Sequence, residues 1–202
     1  MDSEKIKNPV EKNAETWYDK RNLMTLCILY AQYAQGIFTK ELVNIRIPKV
    51  YLETTMFNYY FDSERDAHAD TVKLFEEVKA GKYRAFTSPY AIGELEKAPE
   101  EKYFKMLGLI EEYGIVVLDA SDEVAKLELI YQERGIMPTR STIDAQHIAV
   151  ATINEMDMIL SLNFEHIVRK KTLELTGYVN TELGYRPIKI HSPMEVVDRE
   201  NS

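Results

Sequence analysis

The residues that could do chemistry in this sequence are acids and one amide placed where strand-like and helix-like segments meet. Glu53 closes the apolar run Val50-Tyr51-Leu52. Its carboxylate is thereby carried to the rim of a core, where an uncompensated charge is costly. A bound cation would offset that cost, and so would backbone N–H groups at the start of a following helix; residue type alone does not separate the two. Glu94 stands within two turns of the helix opened by Ser88-Pro89, with Ile92 and Leu95 placing it near the buried side and Glu96 facing solvent. An exposed acid near a favourable helix dipole is the alternative. Asp144 lies in the first turn of a helix whose next residues, Ala145-Gln-His-Ile-Ala-Val-Ala, are small and apolar on most faces, as in a central helix packed on a sheet. Dipole stabilisation accounts for such an acid too. His147, three residues on, can share that face, and is read as packing or as support for a ligand rather than a ligand itself. Asn163 sits between a strand and a helix, where an Asn acts more often as a cap than as a ligand. Ser161 is a supporting or simply polar strand residue.

Several common chemistries lack their signatures. There is no G-x-G-x-x-G for a dinucleotide, no G-x-x-x-x-G-K-[ST] for a nucleoside triphosphate, and no G-x-S-x-G elbow for a nucleophilic serine. The first strand ends in Glu-Thr-Thr, not in the paired aspartates of a phosphatase that forms an aspartyl-phosphate. Cys27 is the single cysteine, so neither an intramolecular disulfide nor a cysteine-based zinc site can form. A formal charge of −8 argues against nucleic-acid binding through bulk positive potential, so any such contact must be local.

The elements that must hold these side chains follow from periodicity and punctuation. Lys49 to Thr54, Tyr83 to Thr87, Ile115 to Leu118, Met158 to Leu162 and Ile188 to His191 read as strands. Helical patterns cover Asp66 to Ala80, stopped by Gly81, and Glu100 to Tyr113, stopped by Gly114. Further helices run from a Ser121 cap to Arg134, from Ser141 or Thr142 to about Glu155, and from Phe164 to Thr176. Strands alternating with helices predict an α/β fold with a central parallel sheet of about five strands flanked by helices. In such sheets ligands sit outside the carboxyl ends of the strands, where Glu53 and Asn163 fall.

Four segments, in this order and spacing, resemble the acidic motifs of PIN domains, a family that includes the VapC-like toxin ribonucleases. They are Val50-Tyr-Leu-Glu-Thr-Thr, Ser88-Pro-Tyr-Ala-Ile-Gly-Glu-Leu, Asp144-Ala-Gln-His-Ile-Ala-Val-Ala and Ile159-Leu-Ser-Leu-Asn-Phe-Glu-His-Ile. The resemblance runs from about Lys49 to Val197, with Ile188-Lys-Ile-His-Ser-Pro-Met-Glu-Val similar to the closing strand and turn. The chain is a variant of the pattern, with Glu53 and Asn163 at two positions where the family usually has Asp. The resemblance implies an endoribonuclease dependent on Mg²⁺ or Mn²⁺, with Glu53, Glu94, Asp144 and Asn163 as the catalytic and metal-binding set. Oxygen donors suit such hard ions, which activate water for in-line attack on phosphorus. Glu53 has one more C–C bond than Asp, roughly 1.5 Å of reach, so the ion or the strand end must shift to match. A catalytically weak binding module for RNA or protein is the competing reading.

The family region sets the expected organisation: a PIN-like nuclease domain at 49–202, preceded by an N-terminal helical extension at 1–48. In that extension Leu23, Leu26, Cys27, Tyr30, Ala31 and Ala34 form one apolar helical stripe, and Pro48 ends the section. The stripe is open to packing on the domain, to a dimer contact, or to mimicry of the antitoxin segment that such toxins receive from a partner. The expected partners are RNA as substrate, an antitoxin protein and a second copy in a homodimer. The apolar run Leu23 to Ala34 is short of the roughly 20 residues needed to span a bilayer. No membrane partner is therefore expected, and the single Cys27, which asks for no oxidising compartment, makes a cytoplasmic setting the default expectation. Arg65 and Arg140 are the cations placed to meet an RNA backbone, whereas Arg169, Lys170 and Lys171 read as a solvated stretch.

Overall fold

Alternation along the central strand sorts the molecule into two layers. In the computed structural model, which describes residues 46–137 and 141–198, β1 (Lys49–Leu52) has Val50 and Leu52 in one apolar cluster and Tyr51 in the other. Successive strand side chains point to opposite faces, so a strand buried on both sides feeds two cores. The expected helix at Leu23–Ala34 and the residue Arg140 lie outside the described residues.

After β1 the chain forms α1 (Thr54–Tyr60), α2 (His68–Lys79), β2 (Arg84–Thr87), α3 (Pro89–Leu95) and α4 (Glu100–Glu112). It continues through β3 (Val116–Val117), α5 (Asp122–Glu133), α6 (Thr142–Ile153), β4 (Met158–Leu160), α7 (Lys170–Glu182) and β5 (Lys189–His191). The five strands are all parallel in the order β3-β2-β1-β4-β5, flanked by seven helices among the described residues. This is the α/β architecture the sequence predicts, a central parallel sheet of five strands flanked by helices.

One core packs Val50, Leu52 and Leu160 against Phe57, Leu74, Phe75, Leu95 and Met106. The other packs Tyr51, Phe86 and Ile159 against Leu127, Tyr131, Ile148 and Val179. Helix α6, apolar on most faces, is buried from Ala145 to Thr152 except at Gln146, as its composition predicts. Helix α5 opens at Ser121, whose hydroxyl accepts from the Val124 N–H, in line with the expected cap. The φ of +81° at Gly81 and +60° at Gly114 explains why α2 and α4 stop there, because side chains with a Cβ adopt that region at a cost.

Three expectations need correction. The strands are shorter than read: β1 ends at Leu52, β4 at Leu160, and β3 is two residues long. β3 is an edge strand, so Val116 and Val117 remain 48% and 41% exposed although this strand is continuously apolar. The last large helix runs over Lys170–Glu182 and not from Phe164 to Thr176. Asn163 is the reason. Its backbone carbonyl accepts from the N–H groups of Ile167 and Val168, and its side-chain Oδ1 accepts from His166 N–H at 3.1 Å. These bonds tie residues 163–168 into a local turn, and helical periodicity resumes only after Arg169. Helix α1, unread in the sequence, starts directly at the end of β1.

Candidate functional site

The sheet order places a topological switch point beside Glu53. From β1 the chain moves to β2 and β3 on one side, then returns to β4 on the other, so the connections diverge between β1 and β4. Ligands of parallel sheets bind at such a switch point, outside the carboxyl ends of the strands. Glu53 lies there: its N–H continues the ladder to Leu160 O at 3.1 Å, and it serves as the N-cap residue of α1.

Glu53 is buried, and its carboxylate is held by hydroxyl groups. Thr55 Oγ1 donates to Oε2 at 2.6 Å and Ser161 Oγ donates to the same oxygen at 2.8 Å. Both bonds fall on Oε2, leaving Oε1 outside them. Burial pushes the Glu53 carboxyl above its ordinary value, against the lowering influence of His147 and of these hydroxyls. The side chain makes no regular N-cap hydrogen bond, while the Thr55 N–H adds to the influences that lower its carboxyl. Thr55 Oγ1 also accepts from Leu162 N–H at 2.8 Å, which fastens the end of β4 to the same carboxylate.

Glu94 reaches the switch point from α3 and is half-buried, while Glu96 is exposed, as predicted. Its Oε2 accepts from Thr54 Oγ1 at 2.6 Å and lies 3.0 Å from His147 Nε2. Burial pushes this carboxyl up, but the bonds from His147 and Thr54 outweigh it and hold Glu94 below its ordinary value. An ionised Glu94 can only accept, so Nε2 carries the ring proton and donates to it. In the neutral ring Nδ1 then accepts from the Tyr51 hydroxyl, 2.7 Å away, which in turn accepts from Ser88 Oγ at 2.6 Å. The chain of donors Ser88, Tyr51, His147 is polarised toward Glu94. Tyr51, Ser88 and His147 have no exposure at all.

Ligand atoms of Glu53, Glu94 and His147 all lie within 4.8 Å of one another, and among the described residues this is the one group of three or more such side chains brought so close. Asp144 does not belong to it. Asp144 and Asn163 instead form a second pair, with Asn163 Nδ2 donating to Asp144 Oδ1 at 2.8 Å. Burial raises the Asp144 carboxyl above its ordinary value, while His166, His147 and Ser141 work in the opposite direction and Glu94 adds to the rise. The coupling to His147 and Glu94 places Asp144 in the electrostatic field of the first group. The amide of Asn163 is used on both sides, by Asp144 and by His166 N–H.

Sequence reasoning thus singled out Glu53 and Glu94, which meet, and Asp144 and Asn163, which pair with each other. It assigned His147 to packing or support, and it passed over Tyr51, Thr54 and Ser88. The available signal was a histidine and a tyrosine hydroxyl inside otherwise apolar segments, since buried polar groups require partners. Of the cations proposed for RNA, Arg65 donates to Asp62 Oδ2 at 2.9 Å and to the Tyr59 hydroxyl at 3.0 Å. Arg169, Lys170 and Lys171 are exposed, as expected. No described helix is long and apolar enough to cross a membrane.

No protein-family model matches the chain, and no curated protein matches it. Among solved structures it is similar to VapBC2 from Rickettsia felis bound to a DNA fragment from its promoter, at 12% sequence identity. The likeness covers 71% of this chain and 98% of that one, with a TM-score of 0.46.

Proposed function

We propose that this chain is a divalent-metal-dependent endoribonuclease that hydrolyses RNA phosphodiester bonds and acts as the toxin-like member of a toxin–antitoxin pair. The observation that carries the reading is the buried Glu53 carboxylate at the switch point of a parallel sheet, with Glu94 and His147 ligand atoms within 4.8 Å of it and of each other. Two carboxylates so close repel each other and lose solvation, and a cation between them would offset both costs. The donor set fits a divalent ion. On each Glu the side-chain donors crowd onto Oε2, leaving the other oxygen outside those bonds. Bound there, the ion would supply charge stabilisation for phosphoryl transfer.

The remaining roles belong to the protein. Thr55 and Ser161 fix the Glu53 carboxylate; Thr54 and His147 fix that of Glu94. Asn163 orients Asp144, the acid placed to help hold a water or a further ion when RNA is present. The net charge of −8 restricts RNA contact to local groups. A homodimer, an antitoxin partner, a cytoplasmic setting and the division into a 1–48 extension and a 49–202 nuclease domain complete the proposal.

The test is incubation of the purified full chain with single-stranded RNA, with and without Mg²⁺ or Mn²⁺. Cleavage that needs the ion and disappears in Asp144→Asn supports the proposal. The absence of any ion-stimulated cleavage by the wild-type protein overturns it, and RNA retention without cleavage would leave a binding module on the same fold.

A further inference from the structure

We infer that His147 is itself a ligand of the metal centre, giving a carboxylate–carboxylate–imidazole donor set that prefers a nitrogen-accepting divalent ion such as Mn²⁺ over Mg²⁺. The inference rests on reading the Glu53–Glu94 site as a metal centre and adds the third ligand and the class of ion.

The geometry favours the imidazole over the carboxylate expected from the sequence. Nε2 of His147 lies 3.0 Å from Glu94 Oε2, and a ring nitrogen is within 4.8 Å of a Glu53 oxygen as well. Asp144 is held by Asn163 outside that group. A ligating histidine needs a partner for its other ring nitrogen, which sets tautomer and ring orientation. Tyr51 is that partner at 2.7 Å, itself backed by Ser88 at 2.6 Å, all three without exposure.

Coordination requires a lone pair on Nε2, which in the metal-free arrangement bears the proton donated to Glu94. The neutral ring therefore changes tautomer: Nε2 gives up one proton and Nδ1 gains one, so the imidazole stays neutral with no net proton uptake. The Tyr51 hydroxyl can serve both forms. It donates to Nδ1 in the first, and in the second it accepts from Nδ1–H and turns its own proton to Ser88 Oγ. A hydroxyl flanked by two acceptors allows this reversal, whereas a backbone carbonyl in its place would permit one tautomer only. Imidazole nitrogen is a poor ligand for Mg²⁺, which is bound through oxygen, and an acceptable one for first-row transition ions.

Pulsed EPR on the full chain loaded with Mn²⁺ alone tests the inference. Electron spin-echo modulation from a directly bound ¹⁴N is expected in the wild-type protein and is expected to vanish in His147→Gln. Calorimetric competition should show Mn²⁺ bound at least about tenfold more tightly than Mg²⁺. Tyr51→Phe keeps the ring but removes its partner, and should weaken Mn²⁺ by about 10–100-fold. Bound Mn²⁺ with no nitrogen modulation overturns the role of His147 and leaves the carboxylate centre standing, and equal affinity for the two ions overturns the preference. No Mn²⁺ binding by the wild-type chain overturns the metal centre itself. If His147→Gln fails to fold, the wild-type spectrum decides alone.

Discussion

Replacing Tyr51 by Phe removes a single oxygen from a fully buried position on β1. The ring belongs to the apolar cluster that includes Ile148 and Ile159, and Phe keeps that packing. The cost is therefore polar. Burial pushes the Tyr51 phenol far above its ordinary value, so it remains a neutral hydroxyl throughout the accessible pH range. It satisfies Ser88 Oγ at 2.6 Å and His147 Nδ1 at 2.7 Å, neither of which can reach solvent. Each lost hydrogen bond is worth about 1 kcal/mol net, and a buried group left without a partner adds about 1–3 kcal/mol. The two lost bonds and one unpartnered group sum to about 3–5 kcal/mol, which at roughly 2–4 °C per kcal/mol for a chain of this size lowers the melting temperature by about 6–20 °C. Urea denaturation of the metal-free protein gives the free energy, and calorimetry the midpoint. Ser88→Ala breaks one of the same bonds, so the double variant should fall short of the summed single losses by about 1 kcal/mol. A loss below about 0.5 kcal/mol in Tyr51→Phe would refute the buried chain of donors.

The raised carboxyl of Glu53 makes the native metal-free protein bind a proton more tightly than the unfolded chain. Its contribution to stability is thus complete below the ordinary Glu range and is lost as pH rises toward the higher native value. Glu53→Gln should remove that slope and raise the melting temperature at neutral pH by a few degrees, while abolishing the stabilisation that added Mn²⁺ gives the wild type; a variant no more stable than wild type would contradict this. Thr55→Val removes the donor to Glu53 Oε2 and the acceptor for Leu162 N–H. It should cost about 1–3 kcal/mol in urea denaturation. Asn163→Ala frees both Asp144 Oδ1 and His166 N–H. It should cost about 0.5–2 kcal/mol of stability, as for a lost cap, and lower kcat for RNA cleavage more than it raises KM; an unchanged kcat would show that Asp144 is not oriented by this amide.

Features set by neighbours along the chain were legible in the residues alone. Short apolar runs located all five strands, glycines at helix ends located the stops of α2 and α4, and strand–helix alternation predicted the parallel sheet. Glu53 was legible because a charged residue directly after three strand residues must stand at the rim of the core. Its neighbour in space was not legible, because which residues face each other across a switch point depends on strand order, and the return of β4 to the far side of β1 is a tertiary event. The same holds for His147. Helix α6 is apolar on most faces, so periodicity cannot say how it is rotated against the sheet; packing on Tyr51 and Ile159 decides that, and turns His147 toward Glu94. Nor could composition foresee that the Asn163 amide would be spent on Asp144 and on a turn, delaying α7 to Lys170. Local pattern identified acids at the ends of elements, while long-range packing selected two of them and a buried imidazole as the group that converges.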